Sequence, residues 1–164
     1  HGISNTCSNV KEYEHMTKLL FICHGNICRS TMAEYVMKDL VRRAGLQEQV
    51  YIDSAATSRE AIGEGVHPGT RRKLREAGVP CGDHRARQVT AQDYRQFDLL
   101  IAMDGQNLRN LDRLLGGDPQ HKFRLLLDYA ASGGDIADPW YTGNFDDTYR
   151  DVLAGCTGLL EQLR

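Results

Sequence analysis

Apolar residues along this chain fall into two alternating patterns. Short, nearly unbroken runs occur at KLLFIC (18–23), VYIDSA (50–55), FDLLIAM (97–103) and FRLLLDY (123–129). Runs of this length predict strands, and the first, apolar on almost every residue, predicts a strand buried on both faces. Between them, apolar positions recur every three or four residues. After Ser30, the residues Met32, Ala33, Val36, Met37, Leu40, Val41 and Ala44 form one stripe that Gly45 stops. TRRKLREAG reads as a basic helix closed by Gly78, with Arg71, Arg72, Lys73 and Arg75 on a solvated face, and QNLRNLDRLLGG reads as another. The last helix is the clearest, with Phe145, Tyr149, Val152, Leu153, Cys156, Leu159, Leu160 and Leu163 on one stripe. Alternating strands and helices predict an α/β fold: a four-stranded parallel sheet with helices on both faces and right-handed crossovers. Sites in such sheets form beyond the carboxyl ends of the strands, which points to the loop CHGNICR between the first strand and the first helix.

Composition narrows the setting. The chain has 164 residues, 41% hydrophobic and 26% charged, the balance of one domain with a sizeable core. Its 20 basic and 22 acidic residues leave a net charge of -2, so no global field favours nucleic acid or an anionic membrane, and an anion site must be local. No apolar run approaches the roughly 18 residues of a membrane span. The first fifteen residues lack the basic-then-apolar order of a secretory signal. They are expected to be a disordered leader, with Met16 as the natural start and residues 16–164 as a single domain. Five cysteines, Cys7, Cys23, Cys28, Cys81 and Cys156, are odd in number and scattered, which argues against a disulfide framework and for a soluble protein in a reducing cytoplasm.

Cys23 and Cys28 stand close together in CHGNICRS, and a metal site, a disulfide and a nucleophile with a neighbour compete for them. Structural zinc wants four ligands, and no second Cys/His pair of suitable spacing occurs. An anion cradle fits better: Cys23 ends a strand, Arg29 begins a helix, and the loop between them turns its backbone N–H groups onto one oxyanion ahead of the helix dipole. His24, Gly25, Asn26, Ile27, Cys28, Arg29 and Ser30 would make up this phosphate-binding loop, with no separate role assigned to His24. Gly25 turns without a side chain, Asn26 tolerates a left-handed backbone, and Arg29 offers a planar fork for two phosphoryl oxygens. Cys23 at the floor of that cradle is expected to have a thiol pKa below the usual value of about 8.5 and to act as a nucleophile, with Ser30 hydrogen-bonded to its thiolate. Taken separately, Cys23 is a buried strand residue and Arg29 a solvated helix charge; their joint spacing favours the cradle.

CHGNICRS resembles the phosphate loop of the low-molecular-weight protein tyrosine phosphatases. DSAAT (53–57), HRARQVT (84–90), FDLLIAMD (97–104) followed by NLR, and DPWY (138–141) are similar to segments of that family in the same order, so that the resemblance spans residues 17–164. It implies hydrolysis of phosphotyrosine, in proteins or as small aryl phosphates, through a cysteinyl-phosphate intermediate, by a monomer without metal or cofactor. A phenolate is a sluggish leaving group unless protonated, and the family's pattern makes Asp138 the general acid, then the base for the hydrolytic water. Asp-Pro taken alone is equally a turn starter. The pattern also has His84 hydrogen-bonded to Asn26 and makes Asp104 a support, though either is also readable as an ordinary satisfied polar residue. Trp140 and Tyr141 offer a substrate wall; tyrosine is usual at both positions, so Trp140 departs from the pattern. Glu60 stands where some relatives place a tryptophan, which removes an aromatic surface and favours basic flanking residues. Cys28 reads either as a small buried residue or as a redox guard that captures oxidised Cys23 in a disulfide, the role the family's pattern supports. Two alternatives share these features: an arsenate reductase on the same fold, for which Cys81 lacks a downstream partner because position 88 is Gln88, and a phosphotyrosine-binding module without turnover.

Overall fold

A computed structural model describes residues 16–164; the expected leader, residues 1–15, lies outside the described residues. β1 (Thr17–Cys23) runs into α1 (Arg29–Arg43), followed by β2 (Val50–Ala56), α2 (Pro68–Glu76), α3 (Ala91–Gln96) and β3 (Leu99–Ala102). Then come α4 (Gly105–Leu115), β4 (Phe123–Leu125) with a 3-10 turn (Leu126–Tyr129), the one-turn helix α5 (Pro139–Thr142) and α6 (Phe145–Leu163). The four strands are parallel, in the order β2-β1-β3-β4. The chain leaves β1 for β2 on one side and crosses back to β3 on the other. The sheet's topological switch point therefore lies at the carboxyl end of β1, where Cys23 ends the strand.

The unbroken apolar run of β1 is explained by its two covered faces. Leu19, Phe21 and Cys23 pack with Met32, Val36 and Met37 of α1, Leu74 of α2 and Val152, Cys156 and Leu159 of α6. Leu20 and Ile22 face the opposite layer with Phe97 after α3, Leu100 and Ala102 of β3 and Leu111 of α4. α1 ends as its sequence predicts: Gly45 takes φ 74°, and the amides of Gly45 and Leu46 cap the carbonyls of Arg42 and Val41. No helix among the described residues is long and apolar enough to cross a membrane.

Two predicted strands are shorter than their apolar runs. FDLLIAM forms a strand only from Leu99. The preceding AQDYRQ is a helix nucleated by a capping box in which the Thr90 side chain accepts the Asp93 amide and the Asp93 side chain accepts the Thr90 amide. FRLLLDY is a strand only at Phe123–Leu125; Leu126 and Leu127 then turn off the edge to bury themselves in the α6 layer, as a 3-10 turn. The basic helix begins earlier than predicted, at Pro68, because His67 caps it.

α6 approaches that turn through two glycines. A Cβ on Gly158 would lie 1.8 Å from the Tyr129 carbonyl oxygen, and one on Gly155 would lie 2.5 Å from Leu126 Cγ. The obstacle at Gly158 is backbone, which cannot rotate away. Gly158→Ala is expected to lower stability by about 1–3 kcal/mol through overpacking, despite the higher helix propensity of alanine. Urea unfolding checks this against Gln162→Ala on the exposed face, expected to stay within about 0.5 kcal/mol of the parent.

Candidate active site

Cys23 closes β1 and is almost fully buried, and the chain then turns sharply through His24–Cys28 into α1. Asn26 makes the turn with φ 60°, a conformation that asparagine tolerates and most side chains resist. Its backbone amide donates to Cys23 Sγ at 3.2 Å, and Ser30 Oγ lies 3.0 Å from the same sulfur. The N-terminus of α1 begins at Arg29 directly behind the loop, adding the positive end of a 15-residue helix. The loop is stitched to its neighbours: Thr57 and Ser58 donate their amides to the carbonyls of Cys23 and His24, and the His67 amide donates to Ile27. The hydroxyls of Thr31 and Thr70 both reach the Cys28 carbonyl.

The Asn26 side chain is held on every side. Its Nδ2 donates to Ser30 Oγ at 2.8 Å and Ser54 Oγ at 2.9 Å, while Oδ1 accepts the Arg87 amide at 3.2 Å and lies 2.7 Å from His84 Nε2. Behind His84, Nδ1 faces Glu34 Oε1 at 3.3 Å, and the Tyr35 hydroxyl, its pKa pushed up to about 12 chiefly by burial, accepts the His84 amide. Glu34, Asp53 and His84 together bring three ligand-type atoms within 4.8 Å of one another. They already have protein partners, since Lys38 and Ser54 bind Glu34 and Arg87 binds Asp53, so the group reads as a scaffold for Asn26.

Arg29 is 3% exposed. One terminal nitrogen donates to Asp104 Oδ2 at 2.6 Å and to the Ile136 carbonyl at 2.8 Å; the other lies 3.5 Å from Asp138 Oδ2. Burial works against its charge, but Cys23, Asp104 and Asp138 outweigh burial and raise its pKa above the ordinary arginine value. Asp104 also caps α4 by accepting the Asn107 amide at 2.8 Å, which fixes its carboxylate at the end of β3. Asp138 caps α5, with Oδ1 accepting the Trp140 amide at 3.1 Å. Cys28 is buried, and that burial first, then Cys23 and Asp138, pushes its thiol up to about 12, so it is protonated at neutral pH.

These groups share one cleft of about 250 Å³. Cys23, Cys28 and Arg29 line it together with His24, Glu60, Asp138, Trp140 and Tyr141. His24, given no separate role from sequence, pairs with Glu60 at 3.1 Å. Asn26, Ser30, His84 and Asp104 do not line the cleft; they hold the groups that do. Tyr141 is 83% exposed and Trp140 62%, so the wall they form is open on its outer side. Sequence reasoning missed Ser54, Glu34 and the Ile136 carbonyl. The first two carried a signal, since each is a polar residue on the buried face of its own element; a carbonyl carries none. Cys81 and Cys156 lie elsewhere and are free thiols, as are Cys23 and Cys28.

The Asn26 network is testable through its two separate contributions. Asn26→Gly keeps the left-handed turn and loses the amide; Asn26→Ala loses both. In urea unfolding, Gly is expected to be less stable than the parent by at least about 2 kcal/mol, because buried partners are left unpaired, and Ala by about 1 kcal/mol more. A glycine variant as stable as the parent would contradict the network's importance.

Comparison with known proteins bears on the whole described chain. The family model described as low molecular weight phosphotyrosine protein phosphatase matches residues 18–164. The low molecular weight protein-tyrosine-phosphatase YfkJ of Bacillus subtilis is 39% identical over 151 residues, which are 91% of this chain and 97% of the relative. Its crystal structure superposes with a TM-score of 0.87 over 90% of this chain and 94% of its own. The Sus scrofa low molecular weight phosphotyrosine protein phosphatase is 36% identical, over 92% of this chain and 99% of the relative. The crystal structure of SP-PTP, a low molecular weight protein tyrosine phosphatase of Streptococcus pyogenes, has a TM-score of 0.82 at 37% identity over 91% of this chain and 94% of its own. With its strand-end cysteine loop, four-stranded parallel sheet and sequence matched almost end to end, the chain belongs to the low molecular weight phosphotyrosine protein phosphatase family.

Proposed function

We propose that this protein hydrolyses phosphotyrosine, in proteins or as small aryl phosphates, through a cysteinyl-phosphate intermediate. The observation that carries the mechanism is the convergence of Cys23, Arg29 and Asp138 on one cleft, with Arg29 and Asp138 3.5 Å apart. The phosphoryl group enters the loop with its oxygens on backbone amides and on the Arg29 fork. Cys23 Sγ attacks phosphorus, an S–P bond forms and the P–O bond to the aryl group breaks. Asp138 gives its proton to the departing oxygen, then as a carboxylate takes a proton from the water that attacks phosphorus. The S–P bond breaks and inorganic phosphate leaves. No step calls on a metal or cofactor.

Ser30 Oγ and the Asn26 amide lie 3.0 and 3.2 Å from Cys23 Sγ, placed to hydrogen-bond the sulfur both as it attacks phosphorus and as it leaves. Asp104 and the Ile136 carbonyl hold the guanidinium from behind, leaving its other face for phosphate. Trp140 and Tyr141 flank the substrate ring, and Glu60 with His24 forms the polar wall opposite. Cys28, which lines the same cleft as Cys23, is the redox guard: peroxide converts Cys23 to a sulfenic acid, the Cys28 sulfur gives up its proton and attacks the Cys23 sulfur, and a disulfide forms as water leaves.

Release of phosphate from a phosphotyrosyl peptide under reducing conditions is expected to fall to background in Cys23→Ser; unchanged turnover would defeat the mechanism. Asp138→Ala is expected to lose at least about tenfold more kcat/KM on phenyl phosphate, a poor leaving group, than on p-nitrophenyl phosphate. Equal losses would remove Asp138 from the acid role. After mild peroxide, mass spectrometry is expected to find a Cys23–Cys28 linkage; overoxidised Cys23 beside free Cys28 would rule out the guard.

A further inference from the structure

His67 occupies a point where three parts of the site meet. Its Nδ1 accepts the Gly69 amide at 2.9 Å and so caps α2. Its own amide donates to the Ile27 carbonyl at 2.9 Å, which ties it to the phosphate loop. Its ring stacks on Phe145, the first residue of α6, with centroids 5.3 Å apart and planes 25° from parallel. The same ring meets the Trp140 indole edge to face, at 5.8 Å and 81°. Gly69 makes the stack possible, because a Cβ there would fall 2.3 Å from the Phe145 ring.

Trp140 belongs to the one-turn helix that Asp138 caps, and its amide holds Asp138 Oδ1. The indole is largely exposed, and among the described residues His67 is the aromatic ring it meets. A helix of a single turn has little rigidity of its own, so its position depends on what its side chains touch. We propose that His67 is the positioning residue of the acid segment: through Trp140 it sets Pro139–Thr142 against the phosphate loop, and with them the carboxyl of Asp138. This rests on the phosphatase function proposed above. Histidine suits the task because it combines a ring-nitrogen acceptor for the Gly69 amide with a flat face for Phe145 and an aromatic contact for Trp140. Asparagine or serine would cap without a ring, and phenylalanine would stack without an acceptor. Catalysis is steep in position, with an error of about 1 Å worth roughly 100-fold in rate.

The test measures kcat/KM on phenyl phosphate and on p-nitrophenyl phosphate and forms their ratio within each variant, so that differing amounts of folded protein cancel. His67→Asn keeps an acceptor for the Gly69 amide and removes the ring. It is expected to lose at least about tenfold more on phenyl phosphate than on p-nitrophenyl phosphate, the signature of a displaced acid. His67→Phe is expected to recover most of that difference, and in a Trp140→Ala background His67→Asn is expected to add no further change in the ratio. An unchanged ratio in His67→Asn overturns the proposal, as does failure of His67→Phe to recover, or a full second loss in the double variant. A parent protein that releases phosphate from neither ester overturns the phosphatase function instead, so the two failures are distinguishable.

Discussion

The site depends on the grip around the Asn26 side chain. A tight five-residue turn from strand to helix is not a conformation that a chain holds unaided, and its tightest point is a non-glycine residue at φ 60°. The amide group of Asn26 meets that cost by making four contacts in different directions, to Ser30, Ser54, His84 and the backbone of Arg87. The partners come from three separate pieces of the fold. The loop's shape is thus enforced by α1, by β2 and by the segment that follows α2, and anything that displaces these displaces the amide under Cys23 Sγ.

A second constraint is electrostatic. Arg29 is a buried cation, and such a charge is tolerable only when it is paired and hydrogen-bonded. Asp104, the Ile136 carbonyl and Asp138 supply the partners from two loops, the one after β3 and the one before α5. Asp104 is itself held as the cap of α4. This arrangement gives the cleft one strongly positive group aimed inward, in a chain whose net charge is -2. The proposed phosphate binding therefore rests on this local charge and not on the charge of the whole chain. Cys28 lies in the same field but stays protonated, because burial dominates over the neighbouring guanidinium.

The glycines divide between conformation and contact. Gly45 ends α1 by adopting a positive φ, and its role is legible from its place after an apolar stripe. Gly69, Gly155 and Gly158 sit in helices with ordinary backbone, and what each avoids is a specific neighbour: the Phe145 ring, Leu126 and the Tyr129 carbonyl. Two of the predicted strands were too long for a related reason. An apolar run states that residues are buried, not which surface buries them, so Leu126 and Leu127 leave the sheet edge for the α6 layer without any change in pattern.

Sequence alone determined the alternation of strands and helices and the position of the loop at the end of β1, with Cys23 before it and Arg29 after it. All of these follow from short-range spacing, because the periods of helix and strand and the reach of a five-residue turn are local properties of the backbone. The family resemblance added Asp138 as the expected acid and the expectation that His84 meets Asn26. Tertiary structure decided which groups complete the site: Ser54 and Glu34 behind Asn26, the Ile136 carbonyl behind Arg29, Glu60 against His24, and His67 against Trp140. These contacts join residues 20 to 107 positions apart along the chain. They exist because parallel strands and their crossovers bring distant loops to one end of the sheet, and no local periodicity encodes which of those loops will touch.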